Sequence, residues 1–108
     1  NIPQITFFSP EKNAEWIPFR VGLLCERAHD LMNFMKANEI EPRTFFYPLH
    51  LQPCYGFLLD ENKELSDKKF KNSIFGYEHG VCLPTFPTLT SNQIQYTCDI
   101  IKKFYEEK

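Results

Sequence analysis

Residues 43–55 constrain the fold more than any other segment of the chain. They read RTFFYPLHLQPCY, with four aromatic side chains, one histidine and two prolines. Pro48 and Pro53 lack a backbone N–H and fix their own φ, so neither a regular helix nor a central strand can run through them. Aromatic rings bury large areas, and a segment so rich in them is expected to be ordered. The segment is therefore predicted to be a structured loop of the kind that binds ligands.

The residues before this loop predict strands and a helix. Residues 5–8 are a short apolar run before a Ser-Pro turn and indicate a first strand. Apolar residues then alternate through residues 16–25, the period of a strand with one buried face, and Pro18 places its start at a sheet edge or strand end.

Residues 26–38 change to the helical period. The apolar face of this helix consists of Ala28, Leu31, Met32 and Met35. Pro42 cannot continue a helix, so the helix ends before it, and residues 43–46 are predicted to be a short second strand that leads into the loop.

The second half of the chain contains one charged stretch and two predicted helices. Seven of the fourteen residues in 56–69 are charged, which favours a mobile surface loop. Residues 70–79 predict a short helix that ends at Gly80 in a left-handed turn, and residues 81–83 predict a brief strand.

The last predicted helix begins at a capping box formed by Thr90 and Gln93, with Leu89 and Ile94 as a hydrophobic staple. Its expected buried face consists of Ile94, Cys98, Ile101 and Tyr105.

Composition excludes several classes of function. The 108 residues suffice for one domain, and a net charge of -2 offers no electrostatic footprint for nucleic acid or an anionic membrane. No apolar run spans a bilayer and no signal peptide is evident, so a cytoplasmic location is the default expectation. The four widely spaced cysteines form no C-x-x-C pair and are expected to be free thiols rather than zinc ligands.

No catalytic constellation is evident from the residues. His50 and Cys54 lie four residues apart in a loop without helical register and without a third residue to orient a base, and the glycines match no phosphate-binding motif. Candidate ligand contacts remain in the loop: Arg43, Phe45, Tyr47, His50, Gln52 and Tyr55. They suit a ligand with hydroxyls and a phosphate. The alternative is a buried core segment in which Arg43 pairs with a local acid such as Glu41, and the residues alone leave both open.

Two long motifs resemble one known family. EIEPRTFFYPLHLQPCY (residues 39–55) and GVCLPTFPTLTSNQIQYTCDIIKKFY (residues 80–105) resemble the C-terminal end of the DegT/DnrJ/EryC1/StrS sugar aminotransferases, and particularly of their perosamine synthetase-like members. In the first motif the matching residues are Ile40, Glu41, Arg43, Pro48, His50, Gln52, Pro53 and Tyr55. In the second motif they are Leu83, Pro84, Pro87, Leu89, Thr90, Gln93 and Ile94. Glu39 departs from the pattern, because the family usually has glycine there, and a slightly altered turn is expected.

The resemblance implies a fold and a function. It implies an α/β layered domain over residues 1–108, with a small, largely antiparallel sheet and helices packed on it, as in the C-terminal small domain of a fold-type-I aminotransferase. The strand–helix–strand order of residues 16–46 would by itself also suit a parallel crossover.

The implied enzyme transfers an amino group from an amino acid, with glutamate the expected donor, to a nucleotide-linked keto-deoxysugar in polysaccharide or deoxyaminosugar biosynthesis. It uses pyridoxal phosphate. The large domain with the cofactor-binding lysine would precede Asn1, so this chain alone is expected to be inactive and to bind no cofactor or metal. The enzyme is expected to form a homodimer through that large domain. By resemblance, Arg43, Phe45, Tyr47, His50 and Tyr55 contact the sugar nucleotide, with no catalytic role.

Two alternatives belong to other classes of protein. One is a free-standing module that binds a nucleotide sugar or a protein partner without catalysis. The other is a structural or dimerising domain, which the aromatic content of 16% would suit, because exposed apolar patches mark interfaces.

Overall fold

A computed structural model describes residues 2–58 and 63–106 of the chain. Its four strands are β1 (Ile5–Phe7), β2 (Val21–Cys25), β3 (Arg43–Thr44) and β4 (Gly80–Leu83). Its four α-helices are α1 (Ala28–Ala37), α2 (Lys63–Lys69), α3 (Lys71–His79) and α4 (Ser91–Glu106). Two 3₁₀ segments, Leu49–Leu51 and Pro53–Leu58, follow β3 and include the C-terminal part of the aromatic, proline-rich loop.

The strands form one sheet in the order β1-β2-β4-β3, and every neighbouring pair is antiparallel. This confirms the predicted fold class of a small antiparallel sheet with helices packed on it. Since β4 lies between β2 and β3 and is antiparallel to both, β2 and β3 run in the same direction. The unit β2–α1–β3 is thus a crossover between parallel strands, with one strand inserted between them.

One face of the sheet packs against α1 and α4 to form the core. Leu23 and Cys25 of β2 and Val81 of β4 contribute from the sheet. The helices and the α1–β3 turn contribute Ala28, Leu31, Met32, Met35, Ile40, Ile100, Ile101 and Phe104. All four residues of the predicted α1 stripe are buried, as the helical period requires.

Helix α1 ends in a left-handed turn at Glu39, whose φ is 60°. The N–H of Ile40 donates to the carbonyl of Met35 (3.0 Å) and the N–H of Glu39 to that of Lys36 (3.1 Å). This is the Schellman arrangement, and the apolar contact that accompanies it comes from buried Ile40 and Met35. The residue in left-handed conformation at such a helix end is usually glycine, the residue that the resemblance predicts at this position.

Helix α4 begins at the predicted capping box. The N–H of Thr90 donates to Oε1 of Gln93 (2.9 Å), and the N–H of Gln93 donates to Oγ1 of Thr90 (3.3 Å). The predicted buried face was wrong in part: Ile94 and Cys98 are exposed, whereas Ile100, Ile101 and Phe104 are buried. The buried residues of α4 all lie in its C-terminal half, where the helix joins the core.

The hydroxyl of Tyr105 joins the end of α4 to the turn before α1. It donates to the carbonyl oxygen of Glu26 at 2.6 Å. Burial raises the pKa of Tyr105 above its ordinary value, and the neighbouring Cys25 raises it further. Burial likewise raises the pKa of the Cys25 thiol. Both groups are held in their neutral forms.

Three other expectations need correction. Residues 63–69 form helix α2 rather than a loop, while residues 59–62 of the same predicted loop lie outside the described residues. The predicted strand over residues 16–25 is confined to Val21–Cys25. Gly80 is not left-handed: its φ of -84° and ψ of 128° are extended, and it opens β4.

The four cysteines are free thiols, as predicted; Cys25 and Cys82 are buried and Cys54 and Cys98 exposed. Within residues 2–58 and 63–106, no helix has the length and apolar character needed to cross a membrane, and no cluster of side chains could hold a metal ion.

Candidate functional site

The ring of Phe45 lies directly against two glycines on the sheet face opposite the core. A β-carbon on Gly80 would overlap this ring and the carbonyl oxygen of Gly76 in α3, and one on Gly22 would lie 3.0 Å from its Cζ. The other side of the ring stacks on Phe8, with centroids 6.0 Å apart and planes at 28°. Glycine is required at Gly80 and favoured at Gly22, because an aromatic ring lies close to where their side chains would be.

Beside this ring is an apolar cavity of about 560 Å³, a volume typical of small-molecule sites. It is lined by Phe8, Ser9, Pro10, Ala14, Glu15, Trp16, Phe19, Arg20, Gly22, Phe45, Phe46 and Cys82. Five of these side chains are aromatic. The segment between β1 and β2 provides one wall, and the start of the aromatic loop provides the other.

Arg20 is the one cation among the described residues that line the cavity. The central carbon of its guanidinium group lies 5.2 Å from the centroid of the Phe19 ring and 5.0 Å from that of Phe46. Both distances are within the range of cation–π contacts, which hold the guanidinium group between the two walls. Its N–H groups can still donate to a ligand with oxygen acceptors.

The structure separates the five predicted contact residues. Phe45 lines the cavity, whereas Arg43 lies outside it and forms a long ion pair with Glu41 (Nε to Oε1, 3.8 Å). The ring of Tyr47 packs edge-on against Tyr77, with centroids 5.2 Å apart. Tyr55 is exposed and contacts Phe57. The Arg43–Glu41 pair is the one that the alternative interpretation of this segment proposed.

His50 lies inside the domain. Only 2% of its surface is exposed, and its ring stacks on Phe70 with centroids 4.4 Å apart. Its Nε2 is buried and has no hydrogen-bond partner among the described residues. Cys54, in contrast, is exposed, so the two residues do not share an environment that would support a catalytic pair.

Sequence reasoning missed most of the cavity, in particular Trp16, Phe19 and Arg20. A strand interpretation assigned residues 16–25 one buried and one exposed face. Ile17 and Phe19 are 84% and 81% exposed, however, and Pro18 lies between them. The sequence did contain an indication of a loop that presents aromatic side chains. Bulky apolar residues occupy consecutive positions around Pro18, which is not the alternation of a strand.

Comparison with known proteins shows which family the chain belongs to. The model of the DegT/DnrJ/EryC1/StrS aminotransferase family matches residues 2–102. The chain belongs to this family.

Two curated relatives are GDP-perosamine synthases. The one from Escherichia coli O157:H7 is 29% identical over 93 residues, which cover 86% of this chain and 23% of the relative. The one from Vibrio cholerae is 36% identical over 76 residues, which cover 69% of this chain and 19% of the relative. The chain thus spans about a fifth of the length of these aminotransferase-family relatives.

Two solved structures share the family fold. A DegT/DnrJ/EryC1/StrS aminotransferase from Brucella abortus superposes with a TM-score of 0.62 at 19% identity, covering 82% of this chain and 22% of the other. A putative sugar aminotransferase from Streptococcus pneumoniae, in its PMP form, gives a TM-score of 0.68 at 15% identity with the same coverage. At these identities the likeness shows the fold alone.

The family implies a pyridoxal phosphate cofactor, which needs a lysine amine for attachment and donors for its phosphate. In the part of the chain that the structure describes, the cavity lining contains no lysine, and its charged side chains are Glu15 and Arg20. The residues of this cavity therefore do not fit the cofactor, and the chemistry they support is ligand binding.

Proposed function

We propose that this chain is the small C-terminal domain of a longer sugar aminotransferase and that it lines the sugar-nucleotide side of the active site. The family membership supports an aminotransferase over a free-standing binding module. The short share of each relative that the chain covers supports a part of a larger enzyme.

The aromatic cavity carries the proposal for binding. Flat rings pack on the faces of a sugar or a nucleobase, and base–aromatic stacking contributes about 1–3 kcal/mol per base. Arg20 lies between the rings of Phe19 and Phe46, where its guanidinium group can donate to hydroxyl or phosphate oxygens. The ligand class proposed for the cavity is a nucleotide-linked sugar, with GDP suggested by the names of the two curated relatives.

The geometry ranks the predicted contact residues. Phe45 is the strongest, because it lines the cavity. Tyr47 and Tyr55 are half-exposed and accessible to a ligand. His50 is buried, so its contribution would be to hold the loop through its stack on Phe70. Contact by each of these residues, and by Arg43, stays a prediction.

The remaining properties belong to the whole enzyme. We propose that it transfers an amino group from an amino acid, expected to be glutamate, to a nucleotide-linked keto-deoxysugar in surface polysaccharide or deoxyaminosugar biosynthesis. Pyridoxal phosphate supplies the electron sink for this chemistry. We further propose a cytoplasmic homodimer. The product of the complete gene should show the visible absorbance of the bound cofactor, and a product without that absorbance and without activity on any keto-sugar nucleotide would refute the aminotransferase assignment.

Binding at the cavity can be tested with Trp16, the single tryptophan of the chain, which lies in its wall. Addition of GDP-mannose should change the Trp16 fluorescence in a saturable way. The light that the nucleotide itself absorbs is corrected for by a parallel titration of free N-acetyltryptophanamide. The variant Phe19→Ala should weaken the affinity about tenfold, which corresponds to the loss of about 1.4 kcal/mol of stacking.

The variant Phe57→Ala is the matched control. Phe57 is as exposed as Phe19, at 78% against 81%, but does not line the cavity. The affinity of Phe57→Ala for GDP-mannose should stay within twofold of that of the parent chain. A fluorescence change that does not saturate, or an equal loss of affinity in Phe19→Ala and Phe57→Ala, would contradict the cavity as the binding site.

A further inference from the structure

A second, polar groove lies between α1 and the edge of the sheet. Its volume is about 280 Å³. Helix α1 contributes His29, Asn33 and Lys36, which follow one another at helical spacing, and β3 contributes Arg43 and Thr44. Buried Met32 and Pro42 form part of its apolar lining. Because β3 is the last strand of the sheet, the groove lies along an edge that pairs with no other described strand.

The side chains of the groove are suited to an anion with several oxygens. Lys36 and Arg43 carry positive charge, and the ring nitrogens of His29 add a further hydrogen-bonding group. Asn33 and Thr44 add neutral donors. These groups come from two elements that face each other across the groove, so that one ligand can be bound from both sides. An arginine fork with a neighbouring ammonium group is the donor set that phosphate oxygens prefer.

Glu41 is the one carboxylate that lines the groove within residues 2–58 and 63–106, and its contact with Arg43 is weak. The Nε–Oε1 distance of 3.8 Å is too long for a hydrogen bond, and the side chains of Arg43 and Glu41 are 72% and 64% exposed. Such an exposed pair contributes about 0–1 kcal/mol, so an oxyanion can compete for the guanidinium group. With Lys36 and Arg43 against Glu41, the formal charge of the groove stays positive.

We propose that this groove binds an oxyanion of the phosphate class, either free phosphate or a phosphate ester. His29 and Lys36 approach it from α1, and Arg43 and Thr44 approach it from β3. Among the described residues, the groove shares none of its lining with the aromatic cavity. Arg43 is also a predicted sugar-nucleotide contact, but the inference needs no contact at the cavity, so the groove and the cavity can fail separately.

The test is a titration of the ¹⁵N-labelled 108-residue chain with inorganic phosphate at constant ionic strength, followed by ¹H–¹⁵N spectra. Constant ionic strength is needed because screening alone moves signals of exposed charged residues. We expect saturable shifts at the amides of Asn33, Lys36 and Thr44. Sodium chloride at the same ionic strength should not produce them.

The variants Lys36→Gln and Arg43→Gln should each weaken phosphate binding about three- to fivefold, as expected for one exposed charged contact. Lys102→Gln is the matched control: it removes the same charge from an exposed site on α4 and should leave the affinity unchanged. All three positions are exposed, so each variant should fold, which the dispersion of the same spectra verifies.

A parallel titration with GDP-mannose distinguishes the sources of the phosphate. Shifts in the groove with this ligand would assign the site to a phosphate ester, and shifts with inorganic phosphate alone would assign it to the free anion. The proposal is overturned if neither ligand gives saturable shifts at these amides, or if Lys102→Gln weakens binding as much as Lys36→Gln.

Discussion

Replacement of Gly80 by alanine should destabilise the domain more than any other glycine-to-alanine change among the described residues. A β-carbon at this position would overlap both the ring of Phe45 and the carbonyl oxygen of Gly76. The ring can rotate away only by leaving its stack on Phe8, and the carbonyl belongs to the backbone of α3. Neither neighbour is the free end of a flexible side chain, so the strand or the helix has to move.

The expected cost is about 3 kcal/mol, at the upper end of the range for overpacked sites. A chain of this size has a total stability of roughly 5–15 kcal/mol, so the loss is a large part of it and should lower Tm by roughly 15 °C. The backbone of Gly80 is extended, which any residue can adopt, so the cost is purely steric. Urea unfolding monitored by circular dichroism measures it.

Two other glycines provide graded controls. Gly22→Ala places its β-carbon 3.0 Å from the ring of Phe45 with no backbone contact, and should cost about 1 kcal/mol. Gly56→Ala has nothing within 4 Å and does not have positive φ, so it should be neutral or stabilise by about 0.5 kcal/mol.

A double-mutant cycle separates the steric effect of the Phe45 ring from that of the Gly76 carbonyl oxygen at position 80. In a Phe45→Ala background the ring is gone and only the Gly76 carbonyl remains, so Gly80→Ala should cost about 1–2 kcal/mol less than in the parent chain. The reasoning is refuted if Gly80→Ala costs no more than Gly56→Ala, or if its cost is the same with and without the Phe45 ring.

Two further predictions concern the helix ends. Glu39→Gly should stabilise the chain by about 1 kcal/mol in urea unfolding, because it relieves a left-handed conformation that is unfavourable for a residue with a side chain. Ala37→Gly, inside α1, is the control and should destabilise the chain by about 1 kcal/mol. Changes in stability of the same sign in both variants would contradict the left-handed conformation of Glu39. Tyr105→Phe should cost about 1 kcal/mol at neutral pH through loss of the hydrogen bond to Glu26. Since the folded pKa of Tyr105 is raised, its stabilising contribution is complete below its ordinary pKa of 10.0 and is lost as the pH rises above that value. The parent chain should therefore lose more stability between pH 7 and alkaline pH than Tyr105→Phe does, and identical alkaline losses would refute this role.

The sequence predicts those features of the fold that depend on near neighbours. The period of α1, the end of that helix before Pro42 and the capping box at Thr90 each need only a few consecutive residues, and the structure contains all three. The charged segment around α2 shows the limit of this reasoning. High charge indicates solvent exposure, but lysine and glutamate are also good helix formers, so exposure did not imply a loop.

The candidate site could not be predicted in the same way, because contacts between distant segments create it. Gly80 has the usual sequence position of a helix C-cap, and only its close contacts with the ring of Phe45 and the carbonyl oxygen of Gly76 explain why the structure needs glycine there in an extended conformation. The cavity similarly joins residues near Trp16 with residues near Phe46. The aromatic loop was identified from composition, but its partner wall has no motif of its own.

The arrangement of β3 suggests that the cavity and the polar groove act nearly independently. Arg43 and Phe45 are two residues apart, so a ligand that displaced β3 from the groove side would also move the ring in the cavity wall. Phe45, however, is confined by Gly22, Gly80 and Phe8, and β3 is paired with β4 in a fixed register. Closely packed contacts of this kind resist small displacements, and coupling between two sites requires an element that both ligands shift. If both sites bind, phosphate in the groove should therefore leave the affinity of the cavity almost unchanged, and by reciprocity a ligand in the cavity should leave the phosphate affinity unchanged.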